Sequence, residues 1–245
     1  MPKIIHSLSL TALLFSSMAM AHVKPVITLS LGVDSASFTQ NNPTINFPSS
    51  IFNTYVSTNS SDGKFLGGLF LGAEFNVKQN VFWQLGVSYY QNYAFQPSGD
   101  IYQFGSSAMD NSAYQYSLTS RRVLGETKLL CTVKSIFHPY VDVGLGEAFN
   151  TSSSYAEYPY YFSGGAAVVP MSPPFANKTV DNFTYMAGLG VDIDASKHMR
   201  IGLGYRYVDL GKSSLGTTPI EVGTTTLQNS ALTSNEFLLQ ISAIC

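Results

Sequence analysis

The sequence predicts an all-β chain closed into one eight-stranded, antiparallel, up-and-down transmembrane β-barrel, and three observations lead there. Apolar side chains alternate with small or polar ones in eight separate segments, the period of two that marks a strand. The connections between these segments alternate between short and long. Charged residues make up only 11% of the 245 and hydrophobic ones 45%, where an ordinary soluble domain carries about 25% charged residues.

The first 21 residues stand apart as a signal peptide. Lys3 supplies the positive end, residues 8–15 an apolar stretch, and Ala19-Met20-Ala21 the small-x-small cleavage pattern. The stretch is too short for a membrane-spanning helix, so export and cleavage after Ala21 are expected, leaving residues 22–245 as the barrel domain. No later run of about 18 uninterrupted apolar residues exists, which excludes helical spans.

The eight strands are expected at residues 25–34, 64–77, 81–93, 116–133, 139–149, 182–194, 199–210 and 234–245. The seventh is the clearest, with Met199, Ile201, Leu203, Tyr205 and Tyr207 on one parity and Arg200, Gly202, Gly204 and Arg206 on the other. Residues 78–80, 135–138 and 195–197 make tight turns, whereas residues 35–63, 94–113, 150–181 and 211–233 are long and rich in Ser, Thr, Asn, Gly and Pro. Short periplasmic turns and four long extracellular loops are the pattern of a barrel in the outer membrane.

Alternation does not say which face is inside, because a soluble ligand-binding barrel alternates too. The small parity decides it: Gly68, Gly72, Gly86, Gly144, Gly146, Gly188, Gly190, Gly202 and Gly204 suit a narrow interior, not a water-facing wall. The apolar parity then meets lipid. Phe65, Tyr89, Phe149, Tyr185, Tyr207 and Phe237 fall near the long-loop end of their segments, and Phe75 and Trp83 near the short-turn end, as two interfacial girdles.

The same parity sends nine charges inward: Glu74, Arg122, Glu126, Lys128, Asp142, Asp192, Arg200, Arg206 and Glu236. A nearly neutral set of this kind forms a filled polar lumen if its members pair, since an isolated charge in a confined space is costly. The alternative is a narrow pore for ions or small solutes, with the same charges setting selectivity.

Other chemistry is poorly served. Thirteen Lys plus Arg against fifteen Asp plus Glu give a net charge of -2 with no basic block, which excludes nucleic acid as a partner. The mature histidines, His22, His138 and His198, have no Ser two residues on; His138 and His198 read as turn residues at the periplasmic interface. Zinc-spaced clusters and phosphate-cradling loops are missing from the sequence, so no enzyme, cofactor or metal is expected. Cys131 and Cys245 fall on the fourth and eighth strands, opposite sides of the ring, too far apart for a bridge. In the third long loop, Tyr155, Tyr158, Tyr160, Tyr161 and Phe162 make a contact surface of low rotamer cost or pack on one another and the rim.

Gly144-Leu145-Gly146, Ala187-Gly188-Leu189-Gly190-Val191-Asp192 and above all Gly204-Tyr205-Arg206-Tyr207-Val208-Asp209-Leu210-Gly211-Lys212 resemble the eight-stranded opacity-protein and OmpA-transmembrane-like barrels of Gram-negative outer membranes. The resemblance implies insertion by the barrel-assembly machinery, a setting of outer-membrane lipid and lipopolysaccharide, and a structural or adhesin-like surface role in which the loops meet a host or matrix ligand. One departure is Cys245, where that family ends on an aromatic residue.

Overall fold

The computed structural model describes residues 23–47, 52–58, 61–159, 175–217 and 225–245. The expected leader, residues 1–21, lies outside them. The described residues form eleven strands: β1 (Val23–Gln40), β2 (Thr44–Asn46), β3 (Phe52–Ser57), β4 (Ser61–Lys78), β5 (Val81–Asn92), β6 (Ser98–Gln103), β7 (Asp110–Cys131), β8 (Phe137–Pro159), β9 (Lys178–Ser196), β10 (Met199–Ser214) and β11 (Gln228–Ile244).

Eight of these close a ring in the order β1, β4, β5, β7, β8, β9, β10, β11, with β11 pairing back onto β1. Every neighbouring pair is antiparallel. Closure leaves no free edge in the ring, the only way a sheet satisfies its backbone in lipid. The turn between β4 and β5 needs a left-handed residue and has one in Asn80, at φ 69°, a conformation that asparagine tolerates.

Each expected strand is present, and most run further than expected toward the long connections. β1 continues to Gln40, β7 begins at Asp110, and β8 reaches Pro159. The reason is an inversion of polarity along single strands. On β1, Ile27, Leu29, Leu31 and Val33 point outward and are exposed, while Thr28, Ser30 and Asp34 point inward and are buried. Past Asp34 the outward residues become Ser35, Ser37 and Thr39, and the buried ones become Ala36 and Phe38. On β7 the buried residues run Tyr114, Tyr116, Leu118 and then Ser120, Arg122, Glu126, Lys128, with Leu124 and Leu130 among them.

The apolar belt on β1 spans Val23 to Val33. Ten steps of about 3.3 Å at a tilt of roughly 40° make roughly 25 Å, the height of a lipid-facing band. Beyond it the wall is polar outside and greasy inside, the arrangement of a water-soluble domain.

This upper head is widened by a small sheet that the sequence reading assigned to loops. β6 takes over from β5 as the neighbour of β7, pairing Ser98 with Gln115, and β3 and β2 follow outward. Phe38, Ile45, Phe47, Tyr55, Phe95, Ile101, Tyr114, Leu118 and Leu232 form one buried cluster there. The expectation of a polar lumen therefore holds only for the belt; above it the interior is an apolar core.

Candidate functional site

The interior of the belt concentrates the polar chemistry of the chain. All nine predicted inward charges are buried, from Glu236 and Arg122 at 0% exposure to Arg200 at 7%. They sit in tiers because side chains of equal parity on neighbouring strands meet at one level. Nearest the short turns, Arg200 binds Glu74 and donates from Nε to Asp194 Oδ1 at 3.0 Å, while Gln84 donates to Glu74 Oε2 at 2.8 Å. His138 Nε2 lies 2.9 Å from Asp194 Oδ2, and its Nδ1 is 3.0 Å from the Thr132 hydroxyl.

In the middle, Lys128 Nζ reaches Asp192 Oδ2 at 3.2 Å and Gln240 Oε1 at 3.1 Å, and lies 3.8 Å above the Tyr140 ring. Arg206 donates from Nη2 to Glu126 Oε1 and from Nε to Asp142 Oδ2, both at 2.6 Å, and also binds the Tyr90 hydroxyl. Higher up, Arg122 Nη2 meets Glu236 Oε1 at 2.5 Å, with the guanidinium 4.8 Å from the Tyr90 ring.

Glycines make this density possible. A Cβ on Gly188 would come within 2.3 Å of Asp142 Oδ1 and 2.6 Å of Arg206 Cγ, and one on Gly204 within 2.3 Å of the Tyr140 hydroxyl. Gly190 lies under the same ring and Gly68 under Tyr90. Tyr90, Tyr140 and Arg206 each rest over a glycine of a neighbouring strand, so at these places volume is exchanged across strands rather than added.

Several placements differ from the sequence reading. Phe75, expected in a lipid-facing girdle, is 6% exposed, because it is flanked in register by Val23 and Trp83 on the outer wall. Trp83 is itself half-buried and donates to the Thr127 hydroxyl. Phe65, Tyr89, Tyr185, Tyr207 and Phe237 are exposed near the upper limit of the belt, and Phe149 is half-buried there. His138, expected as a turn residue at the periplasmic interface, is instead the second residue of β8 and is buried. Tyr155 belongs to β8 and packs on Phe175 at 4.8 Å and Tyr114 at 6.2 Å between ring centroids, so it is part of the head's core. Tyr158 is exposed, and Tyr160, Tyr161 and Phe162 lie outside the described residues.

Other groups were passed over by the sequence reading. Asp34 is buried and bonded to Ser234, and Gln240 links Lys128, Tyr140 and Ser30. Parity is a signal available for both; Asp34 is the last residue of the expected first strand, 25–34, and Gln240 carries no charge. The Asp209-Leu210-Gly211-Lys212 segment makes a bulge: Gly211, at φ 79°, donates its N–H to Asp209 Oδ1, and the amide nitrogens of Asn150 and Asn182 donate to the Lys212 carbonyl. Cys131 and Cys245 are free and exposed. Among the described residues no three His, Cys, Asp or Glu gather as a metal site.

A closed eight-strand ring with paired ions inside and an apolar belt outside is the context in which the comparisons fall. Residues 7–237 match the family described as outer membrane protein beta-barrel domain. The chain belongs to that family. This outer-membrane barrel is also similar in fold to OprG from Pseudomonas aeruginosa, at 14% identity over 91% of this chain and 97% of that one, TM-score 0.49. It is similar to Neisserial surface protein A at 12% identity, 90% and 96% coverage and TM-score 0.43. The attachment invasion locus protein Ail of Yersinia pestis, in complex with the heparin analogue sucrose octasulfate, matches at 11% identity, 91% and 99% coverage and TM-score 0.40. A search of curated proteins returns no match.

Proposed function

We propose that this outer-membrane barrel is a non-catalytic surface protein whose lumen does not conduct and whose upper head carries contact surfaces into the medium. The observation that carries this reading is the double closure of the interior. Within the belt Arg122, Lys128, Arg200 and Arg206 each meet a carboxylate partner, and above them Tyr116, Leu118, Val208, Leu210 and Leu232 are fully buried or nearly so. Water and ions crossing the ring have to break the ion pairs and then displace an apolar plug, where dewetting opposes them.

The leader directs export, the barrel-assembly machinery inserts the strands, and lipid with lipopolysaccharide surrounds the belt. The exposure of Phe65, Tyr89, Tyr185, Tyr207 and Phe237 supports an outer-leaflet interface at their level. The head, with Tyr158 exposed on β8, offers a rigid base on which the third long connection meets a host or matrix ligand. Planar-bilayer recording of the refolded full chain tests the closure. The expected trace is that of the bare bilayer, and steady unitary currents would establish the pore instead.

A further inference from the structure

Among the described residues six carboxylates are buried: Asp34, Glu74, Glu126, Asp142, Asp192 and Glu236. Five of them meet a lysine or arginine within the lumen, and Asp34 alone does not. Asp34 lies one step past Val33, the last lipid-facing residue of β1, at the level where the ion pairs end and Ala36 and Phe38 begin the apolar plug.

Its register partner on β11, the strand that closes the ring onto β1, is Glu236. Directly opposed residues of an antiparallel pair hold their Cβ atoms about 4.5–5.5 Å apart, where like charges repel. Asp34 is 1% exposed and Glu236 0%. The surrounding cations are committed elsewhere or to one member only. Arg122, from β7, binds Glu236 through Oε1. Arg206, in register with Glu236 on β10, holds Glu126 and Asp142. Lys64, in register with Asp34 on β4, is partly exposed and has its Nζ 3.3 Å from Asp62 Oδ2. From β5, Tyr90 donates its hydroxyl to Glu126. Asp34 Oδ1 accepts from the Ser234 hydroxyl, which leaves Asp34 Oδ2 and Glu236 Oε2 as buried acceptors with no donor among the described residues.

Two acceptors cannot satisfy each other, and two carboxylates with one guanidinium leave a surplus negative charge out of water. A single proton corrects both, because it neutralises the surplus and turns one acceptor into a donor. We infer that Asp34 keeps its proton at neutral pH and donates it from Oδ2 to Glu236 Oε2, so that a shared proton latches the β1–β11 seam beneath the plug. Alkali takes that proton to water and leaves two facing carboxylates, which loosens the seam. The inference concerns closure of the ring and does not depend on the surface role of the head.

An unfolded aspartate ionises at about pH 3.9. A proton retained only by the folded state therefore makes folding less favourable as pH rises above that value, by about tenfold per pH unit, until the folded protein releases it. The test is urea unfolding of the vesicle-inserted full chain at about pH 5 and about pH 9, both above the unfolded value. It compares wild type with Asp34→Asn, whose amide keeps a donor in place of the proton at every pH. The folding equilibrium constant of Asp34→Asn relative to wild type is expected to rise by at least about tenfold from the lower pH to the higher. Asp34→Ala, whatever its stability at the lower pH, is expected to show the same rise. The infrared spectrum of wild type at neutral pH is expected to carry a protonated-carboxyl C=O band that Asp34→Asn lacks. A ratio that stays constant or falls between the two pH values overturns the shared proton, as does an infrared band unchanged in Asp34→Asn. Loss of wild-type stability when tetramethylammonium replaces sodium at the higher pH also overturns it, by placing a metal cation between the carboxylates.

Discussion

Replacing Arg206 with Met probes the middle of the lumen directly. The side chain is 1% exposed and is shared by two carboxylates, each with an oxygen 2.6 Å from a guanidinium nitrogen. Met preserves most of the stem while removing five donors and the charge. Glu126, at 3% exposure, and Asp142, at 1%, are then left together without their cation. Removing one partner of a buried pair destabilises by about 3–5 kcal/mol, and two stranded carboxylates place this variant toward the upper end. At roughly 1.4 kcal/mol per decade, the folding equilibrium constant is expected to fall by on the order of 10²- to 10⁴-fold. Trp83 is the single tryptophan and reports unfolding of the vesicle-inserted barrel in a urea titration. Adding Glu126→Gln and Asp142→Asn removes the stranded charges and is expected to restore more than half of the loss. An Arg206→Met barrel within about 1 kcal/mol of wild type, or a triple variant no more stable than the single, would refute the account of a paired lumen.

Three further predictions use the same vesicle unfolding assay or a protease. Gly204→Ala is expected to destabilise by about 1–3 kcal/mol through overpacking; because the clash is with the Tyr140 hydroxyl at 2.3 Å while the ring carbon is 3.6 Å away, Tyr140→Phe should relieve most of it, and an additive double variant would contradict that geometry. Leu29→Arg, mid-belt, is expected to lose about 2–4 kcal/mol and Ser37→Arg, above the belt, about 0–1 kcal/mol; equal losses would mean that the polarity inversion on β1 does not mark the lipid boundary. Leu118→Ala, at a site with no exposure in the head, is expected to cost about 2–5 kcal/mol and to expose the head of surface-displayed protein to added protease, while the belt strands stay protected.

Within the belt, the two faces of the wall are legible residue by residue. Lipid and lumen impose opposite demands on adjacent residues, so parity alone assigned Leu203 outward and Arg206 inward. It did not assign partners. That Arg206 meets Glu126 and Asp142, 80 and 64 residues away, depends on the stagger of strands around the ring, which no local pattern encodes. Phe75 shows the same limit: its outward parity is legible, but its burial beside Trp83 comes from a neighbour on another strand.

Above the belt the legible signal reverses. Ser35, Ser37 and Thr39 read as loop because the outward residue no longer needs to be apolar once water replaces lipid, yet Ala36 and Phe38 still face a core. Period two survives there while its sense changes. That the long connections begin as strands and that the lumen ends in an apolar plug follows from the closing of β2, β3 and β6 over that core. The physical reason is that alternation reports a difference between two environments, and which environment lies on which side is settled by what the rest of the chain encloses.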